Sequence, residues 1–153
     1  MLDRPQTHLA ERYAAPVPRY TSYPTAPHFT GAVGSEQAAS WIAGLPDAAA
    51  LSLYVHIPFC RTLCWYCGCA TSIVNRQEPV TGYLGMLLIE LDRVADLVPP
   101  SHRVTHVHWG GGSPNALDPG EMITLAERTR ARFNIAATSE FAVEIDPRHI
   151  DRK

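Results

Sequence analysis

Four cysteines, all that the chain has, stand within ten residues: Cys60-Arg-Thr-Leu-Cys64-Trp-Tyr-Cys67-Gly-Cys69. The first three make C-x3-C-x2-C, with an aromatic residue directly before the third. One short loop of that spacing can place three thiolates around an iron–sulfur cluster and leave one iron without a protein ligand. An open metal position is where chemistry happens, as catalytic metal sites differ from closed structural ones. Three other uses of the thiols compete. A structural zinc site usually joins two C-x2-4-C pairs roughly a dozen or more residues apart. Here all four crowd one loop, and Cys67 and Cys69 are too close to bind one ion comfortably. Disulfides belong with export, yet the N-terminus, Met1-Leu-Asp-Arg-Pro-Gln6, shows no charged region followed by an apolar run. Reduced thiols and no targeting segment lead to the expectation of a cytoplasmic protein. A chance cluster of unrelated buried thiols is the third alternative.

Behind the loop stands an ordinary globular composition. The 153 residues are 46% hydrophobic and 18% charged, enough for one domain with one core. A net charge of −2 argues against nucleic-acid binding as the main activity. The most apolar helical stretch, Met86-Leu-Leu-Ile-Glu90-Leu-Asp92, is interrupted by acids, so no membrane span is expected. No internal repeat or heptad array is present.

The elements that must position the cysteines follow from periodicity. Residues 1–34 are rich in proline and aromatics (Tyr13, Tyr20, Tyr23, Phe29) and read as an ordered arm lying on a domain. Ser35 to about Leu45 is a short helix with Trp41, Ile42 and Leu45 as its apolar contacts. The expected division is residues 1–48 for arm and helix and 49–153 for the core. Three strand–loop–helix units then follow. Leu51–Ile57 alternates with period two and ends at Pro58. Val80, Leu84, Leu87, Leu88 and Leu91 mark a helix over about 79–98, stopped by Pro99-Pro100. Val104–Trp109 is a second strand, running into Gly110-Gly111-Gly112. Asp118-Pro119-x-Glu121 starts a helix whose buried face is Met122, Leu125, Ala126, Thr129 and Phe133. Glu140–Ile145 is the third strand.

Alternating strands and helices indicate parallel β/α units. In a doubly wound sheet both strand faces would be apolar. Here Leu53, Val55 and Ile57 oppose Ser52, Tyr54 and His56; Val107 and Trp109 oppose His106 and His108; Phe141, Val143 and Ile145 oppose Glu140 and Glu144. One face suits helices, and the other is polar in all three strands. A curved sheet with a polar inner face and a ligand site at its C-terminal strand ends accounts for this pattern. The cysteines, the glycines and Glu144 all fall at those ends. A strand histidine such as His106 is more often a hydrogen-bonded structural residue, and three glycines can be only a tight turn. A glycine strip can also let backbone amides and carbonyls approach an amino-acid-like ligand closely.

Cys60-x3-Cys64-x-Tyr66-Cys67 resembles the motif of the radical S-adenosylmethionine (SAM) superfamily. Within it the chain resembles the oxygen-independent coproporphyrinogen III oxidases of heme biosynthesis. Four segments carry the likeness: Arg19-Tyr-Thr-Ser-Tyr-Pro-Thr-Ala26, Leu53–Cys60 with Cys67-Gly-Cys69, His108-Trp-Gly-Gly-Gly-Ser-Pro114 and Val143-Glu-Ile-Asp-Pro-Arg148. Related heme chaperones share the cysteine loop but typically lack the Arg-Tyr-Thr-Ser-Tyr-Pro arm and the Cys-Gly-Cys ending.

The resemblance implies an α/β fold, the first three units of a partial (β/α)6 barrel preceded by the arm. It implies Cys60, Cys64 and Cys67 as ligands of a [4Fe–4S] cluster, with Cys69 a non-ligating extra cysteine. Tyr54 and Glu144, with Gly111 nearby, become contacts to cluster-bound SAM; Tyr66, Gly112 and Ser113 sit where the family binds a second SAM. Asn115 departs from the family pattern, as does Ala70, while Ser113 keeps the usual hydroxyl. The implied reaction takes a hydrogen atom from a propionate of coproporphyrinogen III with a SAM-derived 5′-deoxyadenosyl radical. Loss of an electron and CO2 then leaves a vinyl group, and two such events give protoporphyrinogen IX. Implied partners are that substrate and an electron donor such as flavodoxin or ferredoxin, with no nucleic acid, no membrane and a monomeric full-length protein. At roughly 30 residues per unit a whole barrel does not fit in this length. The expectation is therefore an N-terminal portion of a longer enzyme, inactive alone. The competing functions are a heme chaperone on the same scaffold and a zinc-binding interaction module.

Overall fold

Period-two alternation puts Leu53, Val55 and Ile57 on one side of a strand and Tyr54 and His56 on the other, and that strand runs Ala50–Ile57 (β1). The computed structural model describes residues 8–9, 11–14, 25–65 and 67–150. Most of the expected arm, including Tyr20 and Tyr23, lies outside the described residues, as does Tyr66. The chain divides into two units, Met1–Gly34 and Ser35–Lys153. The first carries a single-turn 3-10 helix at Ala26–His28, and its Tyr13 and Phe29 are exposed.

In the second unit helix α1 spans Ser35–Ala43 and lies against the long helix α2, Glu78–Leu97. Trp41, expected as an apolar contact, is instead exposed. Consecutive helical residues point about 100° apart, so turning Ile42 inward sends Trp41 outward. Helix α2 has Pro79 in its first turn and stops before Pro99-Pro100, where the missing N–H groups and ring sterics forbid continuation. It buries Val80, Leu84, Leu87 and Leu91 as one stripe.

Two short strands, β2 (Phe59–Cys60) and β3 (Ser72–Ile73), form a separate parallel ladder that periodicity did not show. Strand β4 is Arg103–Gly111, helix α3 is Pro119–Arg132 and strand β5 is Ile135–Val143. Helix α3 starts on a complete capping box: Asp118 accepts from the Glu121 N–H while Glu121 accepts from the Asp118 N–H. The third strand begins five residues earlier than its alternation suggests, because irregular pairing between Val104 and His106 takes up residues 136–139. It ends at Val143, so Glu144 stands just beyond it; its N–H still bonds the Trp109 carbonyl at 2.9 Å.

The sheet order is β1-β4-β5, all parallel. Parallel crossovers are almost always right-handed, so adding each strand beyond the last puts both helices on one face, as in a barrel rather than a doubly wound sheet. Asp92 of α2 pairs with Arg128 (2.9 Å) and Arg132 (3.0 Å) of α3 along their contact. Under the helices, Val55, Ile57, Val107, Trp109 and Leu125 are buried, and Trp109 meets Phe141 edge-on at 5.2 Å. Phe141 and Ile145, expected on this apolar face, are 38% and 54% exposed because β5 is the sheet's edge and nothing described covers them. Leu125 is fully buried at the centre. Leu125→Ala is expected to lower stability by about 2–5 kcal/mol in a denaturant titration. The exposed Ile123→Ala on the same helix should cost under about 1 kcal/mol.

Candidate functional site

The cysteine loop leaves the C-terminal end of β1 and is closed at its base by the β2–β3 ladder. The Ser72 N–H donates to the Pro58 carbonyl at 2.8 Å and the Val74 N–H to that of Cys60 at 3.0 Å. Cys60 is thus held within regular structure, while Cys64 and Cys67 share a turn in which the Cys67 N–H donates to the Cys64 carbonyl at 3.1 Å. Thr71 Oγ1 lies 3.1 Å from the Pro58 carbonyl and 3.4 Å from Cys60 Sγ, with the single hydroxyl proton available to either. Arg61, the first residue of the loop, donates to the Ala116 carbonyl at 3.1 Å and to Gln77. Gln77 in turn donates to Glu121 at 2.6 Å, so the loop is anchored to the N-terminus of α3. All four thiols are free; Cys64 and Cys69 are exposed, Cys60 and Cys67 half-buried. A hydrogen bond with Cys67, and then that neighbour's charge, hold the Cys69 thiol above its ordinary pKa.

Beside the loop lies the polar face of the sheet. In the parallel register Tyr54 is opposite His108, and their rings stack with centroids 5.7 Å apart and planes 16° apart. The Tyr54 hydroxyl lies 3.1 Å from His56 Nδ1, and His108 Nε2 lies 3.2 Å from Glu144 Oε1. The other Glu144 oxygen accepts from the Gly111 N–H at 3.3 Å. Burial, followed by the charges of Glu144 and Cys69, pushes the Tyr54 phenol above its ordinary pKa. The Glu144 charge thus acts on both the Tyr54 phenol and the Cys69 thiol, which places the polar face beside the cysteine loop.

Gly111, by its backbone, and Gly112, by its packing, exclude a side chain, whereas Gly110 is crowded only by the end of the flexible Glu144 side chain. A Cβ on Gly110 would stand 2.9 Å from the Glu144 carboxyl, and one on Gly111 2.6 Å from the His56 ring. Gly111 also has φ +112°, which other residues rarely adopt. A Cβ on Gly112 would stand 2.5 Å from the Phe59 carbonyl oxygen. The run lets the end of β4 press against the start of the cysteine loop, with Gly112 N–H donating to Ile57 (2.9 Å) and Ser113 N–H to Phe59 (2.7 Å).

A third loop, after β5, completes the cluster of strand ends. Asn115, whose geometry the sequence left open, donates from its side chain to the Asp146 carbonyl at 3.1 Å and accepts the Asp146 N–H at 3.1 Å. This two-way pairing extends the β4–β5 contact past the end of the ladder. The Arg148 side chain and N–H bond Asp146 and hold its carboxyl at about 2, below the ordinary 3.8. Because the folded value is depressed, this stabilisation is present above about pH 3.8 and lost as pH falls through about 2. Arg148 Nη2 also reaches Cys64 Sγ at 3.4 Å, and Thr62 Oγ1 lies 3.2 Å from His149 Nε2.

Among the described residues no three Cys, His, Asp or Glu side chains converge on one point, as a closed single-ion site requires. Thiolates on three different irons of a cluster need no such convergence. Three free thiols on one anchored loop suit thiolate ligation of a cluster, and the carboxylate and phenol beside them suit an amino-acid-like ligand. Residues 54–153 match the Radical SAM superfamily. The chain belongs to the radical SAM superfamily.

Its relatives in that superfamily include the oxygen-independent coproporphyrinogen III oxidase of Paracoccus denitrificans, 51% identical over 140 residues, covering 91% of this chain and 31% of that protein. The protein of that name in Escherichia coli is 39% identical over 143 residues, covering 94% and 31%. The solved structure of coproporphyrinogen III oxidase from Escherichia coli, a radical SAM enzyme, matches with a TM-score of 0.81 at 36% identity, covering 94% of this chain and 31% of that one. The chain spans about a third of the length of these curated relatives. Its parallel sheet is the N-terminal portion of the radical SAM barrel. Among the described residues no helix is long and apolar enough to cross a membrane.

Of the residues singled out in the sequence, the structure brings Tyr54, Gly111 and Glu144 together and sets Gly112 and Ser113 against the base of the cysteine loop. Tyr66 lies outside the described residues. His108, Thr71, Asn115, Asp146 and Arg148 were not singled out as site residues. The only signal for the last two was their place in the Val143–Arg148 segment, which carried no role.

Proposed function

We propose that the protein carrying this chain converts two propionate side chains of coproporphyrinogen III to vinyl groups, giving protoporphyrinogen IX without oxygen. For each group one hydrogen atom and one electron leave and the carboxylate departs as CO2. The observation that carries the proposal is the cysteine loop seated beside Tyr54 and Glu144, in a chain 51% identical to a named oxygen-independent coproporphyrinogen III oxidase. Cys60, Cys64 and Cys67 would hold a [4Fe–4S] cluster. When bound, the cluster and SAM supply a 5′-deoxyadenosyl radical, the chemistry the protein itself lacks.

The chain's own residues orient and attract. Glu144 would present a carboxylate to the ammonium group of a first SAM, with one of its oxygens held by the Gly111 N–H, and Tyr54 is assigned to the same SAM. His108 holds that carboxylate in place from the opposite edge. Tyr66, Gly112 and Ser113 are assigned to a second SAM. A flavodoxin- or ferredoxin-like donor, the cytoplasm and a monomeric whole protein complete the proposal.

The test is anaerobic turnover of the cluster-loaded protein with SAM, a reductant and coproporphyrinogen III, followed by protoporphyrin fluorescence. Product is expected. No product together with tight, stoichiometric heme binding would replace the oxidase with a heme chaperone. A polypeptide limited to residues 1–153 is expected to give none, because its polar sheet face and the Phe141–Ile145 edge are open to water. Water in the site weakens the electrostatics that align a cofactor and lets side reactions compete. Robust turnover by that polypeptide would overturn the need for further strands.

A further inference from the structure

We infer that the turn after β5 is a clasp on the cysteine loop, in which Arg148 is a positioning residue that donates to the sulfur of Cys64. The inference rests on the assignment of Cys64 as a cluster ligand. Its geometry is a chain of fixed contacts running inward from the sheet. Asn115 holds the backbone of Asp146 on both its N–H and its carbonyl, and donates to the His149 carbonyl at 3.5 Å. The Asp146 carboxylate, its side chain only 9% exposed, accepts from the Arg148 N–H at 3.0 Å and from Nε at 2.9 and 3.1 Å. It also accepts from Nη2 at 2.7 Å.

Those bonds fix the plane of the guanidinium. Nη2 carries two hydrogens: one goes to Asp146, and the other is left for Cys64 Sγ at 3.4 Å. A flexible lysine could not be aimed this way, since its three donors rotate freely about one bond. At the other end of the turn, His149 Nε2 meets Thr62 Oγ1, so the clasp touches the loop on both sides of Leu63. The hydroxyl of Thr71 near Cys60 Sγ is neutral, whereas the donor facing Cys64 Sγ is a guanidinium.

Hydrogen bonds and positive charge at a cluster's sulfurs favour its reduced form, whose charge is more negative. Arg148 therefore makes the cluster easier to reduce and holds the outer arm of the loop in place. About half of its side chain is exposed, so added salt is expected to weaken the effect.

The test is a redox titration, followed optically and by EPR, of the cluster-loaded protein purified anaerobically as the cell makes it. Iron and sulfide are counted in the same samples. Arg148→Met is expected to retain about four irons per chain. At a fixed potential its reduced-to-oxidised ratio should be about tenfold lower, about 59 mV for a one-electron couple. Arg148→Lys should recover part of the loss. Wild-type titration by Arg148→Met would overturn the inference. So would loss of iron from both variants with the residual cluster at the wild-type potential, since that marks a merely structural turn. If Arg148→Met does not fold, Asn115→Ala decides: it loosens the clasp without touching the guanidinium. It should move the ratio the same way, about threefold, and an unchanged ratio sinks the inference. Cys64→Ser is run alongside. Full iron content in that variant would refute the ligand assignment itself, whatever Arg148 does.

Discussion

Cys60→Ser, Cys64→Ser and Cys67→Ser each reduce cluster iron from about four per chain to near zero after anaerobic reconstitution with iron and sulfide, while Cys69→Ser retains it. Serine keeps the shape of the side chain but replaces a soft thiolate with a hard, protonated hydroxyl that iron–sulfur clusters bind poorly. Three ligands and one open iron leave one cysteine of the four as a spectator, and the family resemblance assigns that place to Cys69. Cys60 is tied into the β2–β3 ladder, and Cys64 and Cys67 share one turn. Cys69 follows that turn, exposed and within electrostatic reach of Tyr54 and Glu144. Iron and sulfide analysis with the visible absorption of the cluster reads the result. Equal loss from all four variants would end the three-ligand assignment, and zinc retained in place of iron would return the loop to a structural role.

Gly112→Ala is expected to disrupt the base of the cysteine loop although it adds one methyl group. The new carbon would lie 2.5 Å from the Phe59 carbonyl oxygen and 2.6 Å from Thr71 Oγ1. Neither neighbour can easily retreat. The Phe59 carbonyl accepts the Ser113 N–H, and Phe59 itself pairs with Ser72 across the ladder. Thr71 is held against Pro58 and Cys60. Overpacking of this kind costs about 1–3 kcal/mol, here concentrated where the loop begins, so cluster occupancy should fall along with stability. Gly82→Ala is the control, because a Cβ there meets nothing within 4 Å on helix α2. That substitution should stabilise the helix by up to about 1 kcal/mol. Chemical denaturation and iron content measure both. If Gly112→Ala matches the wild type in both, the packing account of the glycine run is wrong.

Much of the scaffold was legible because its signals are local. Alternation of Tyr54 and Val55, the stripe from Val80 to Leu91, and Asp118 with Glu121 each encode an element within one or two turns of chain. The three-strand agreement of polar faces also separated a barrel-like sheet from a doubly wound one, since a face must be wet or lined by ligand to stay polar. The cysteine spacing pointed to cluster chemistry for the same reason: thiols on one loop carry their relative placement in their numbering.

What the sequence left open was decided by contacts between segments far apart in the chain. Trp41 is apolar and helical, yet whether it or Ile42 turns inward depends on where α2 lies. The start of β5 at Ile135 follows from its irregular pairing with β4, which no period reveals. Gly111 and Gly112 show in sequence only that side chains are unwelcome; a φ of +112° beside the His56 ring and the Phe59 carbonyl supply the reason, and both neighbours come from another segment. Arg148 is the plainest case. It lies 84 residues from Cys64 and reaches that sulfur only because parallel strands gather their C-terminal loops at one end of the sheet. Residue type and spacing determine which groups can do chemistry; which of them meet, and at what distance, is set by strand order and register.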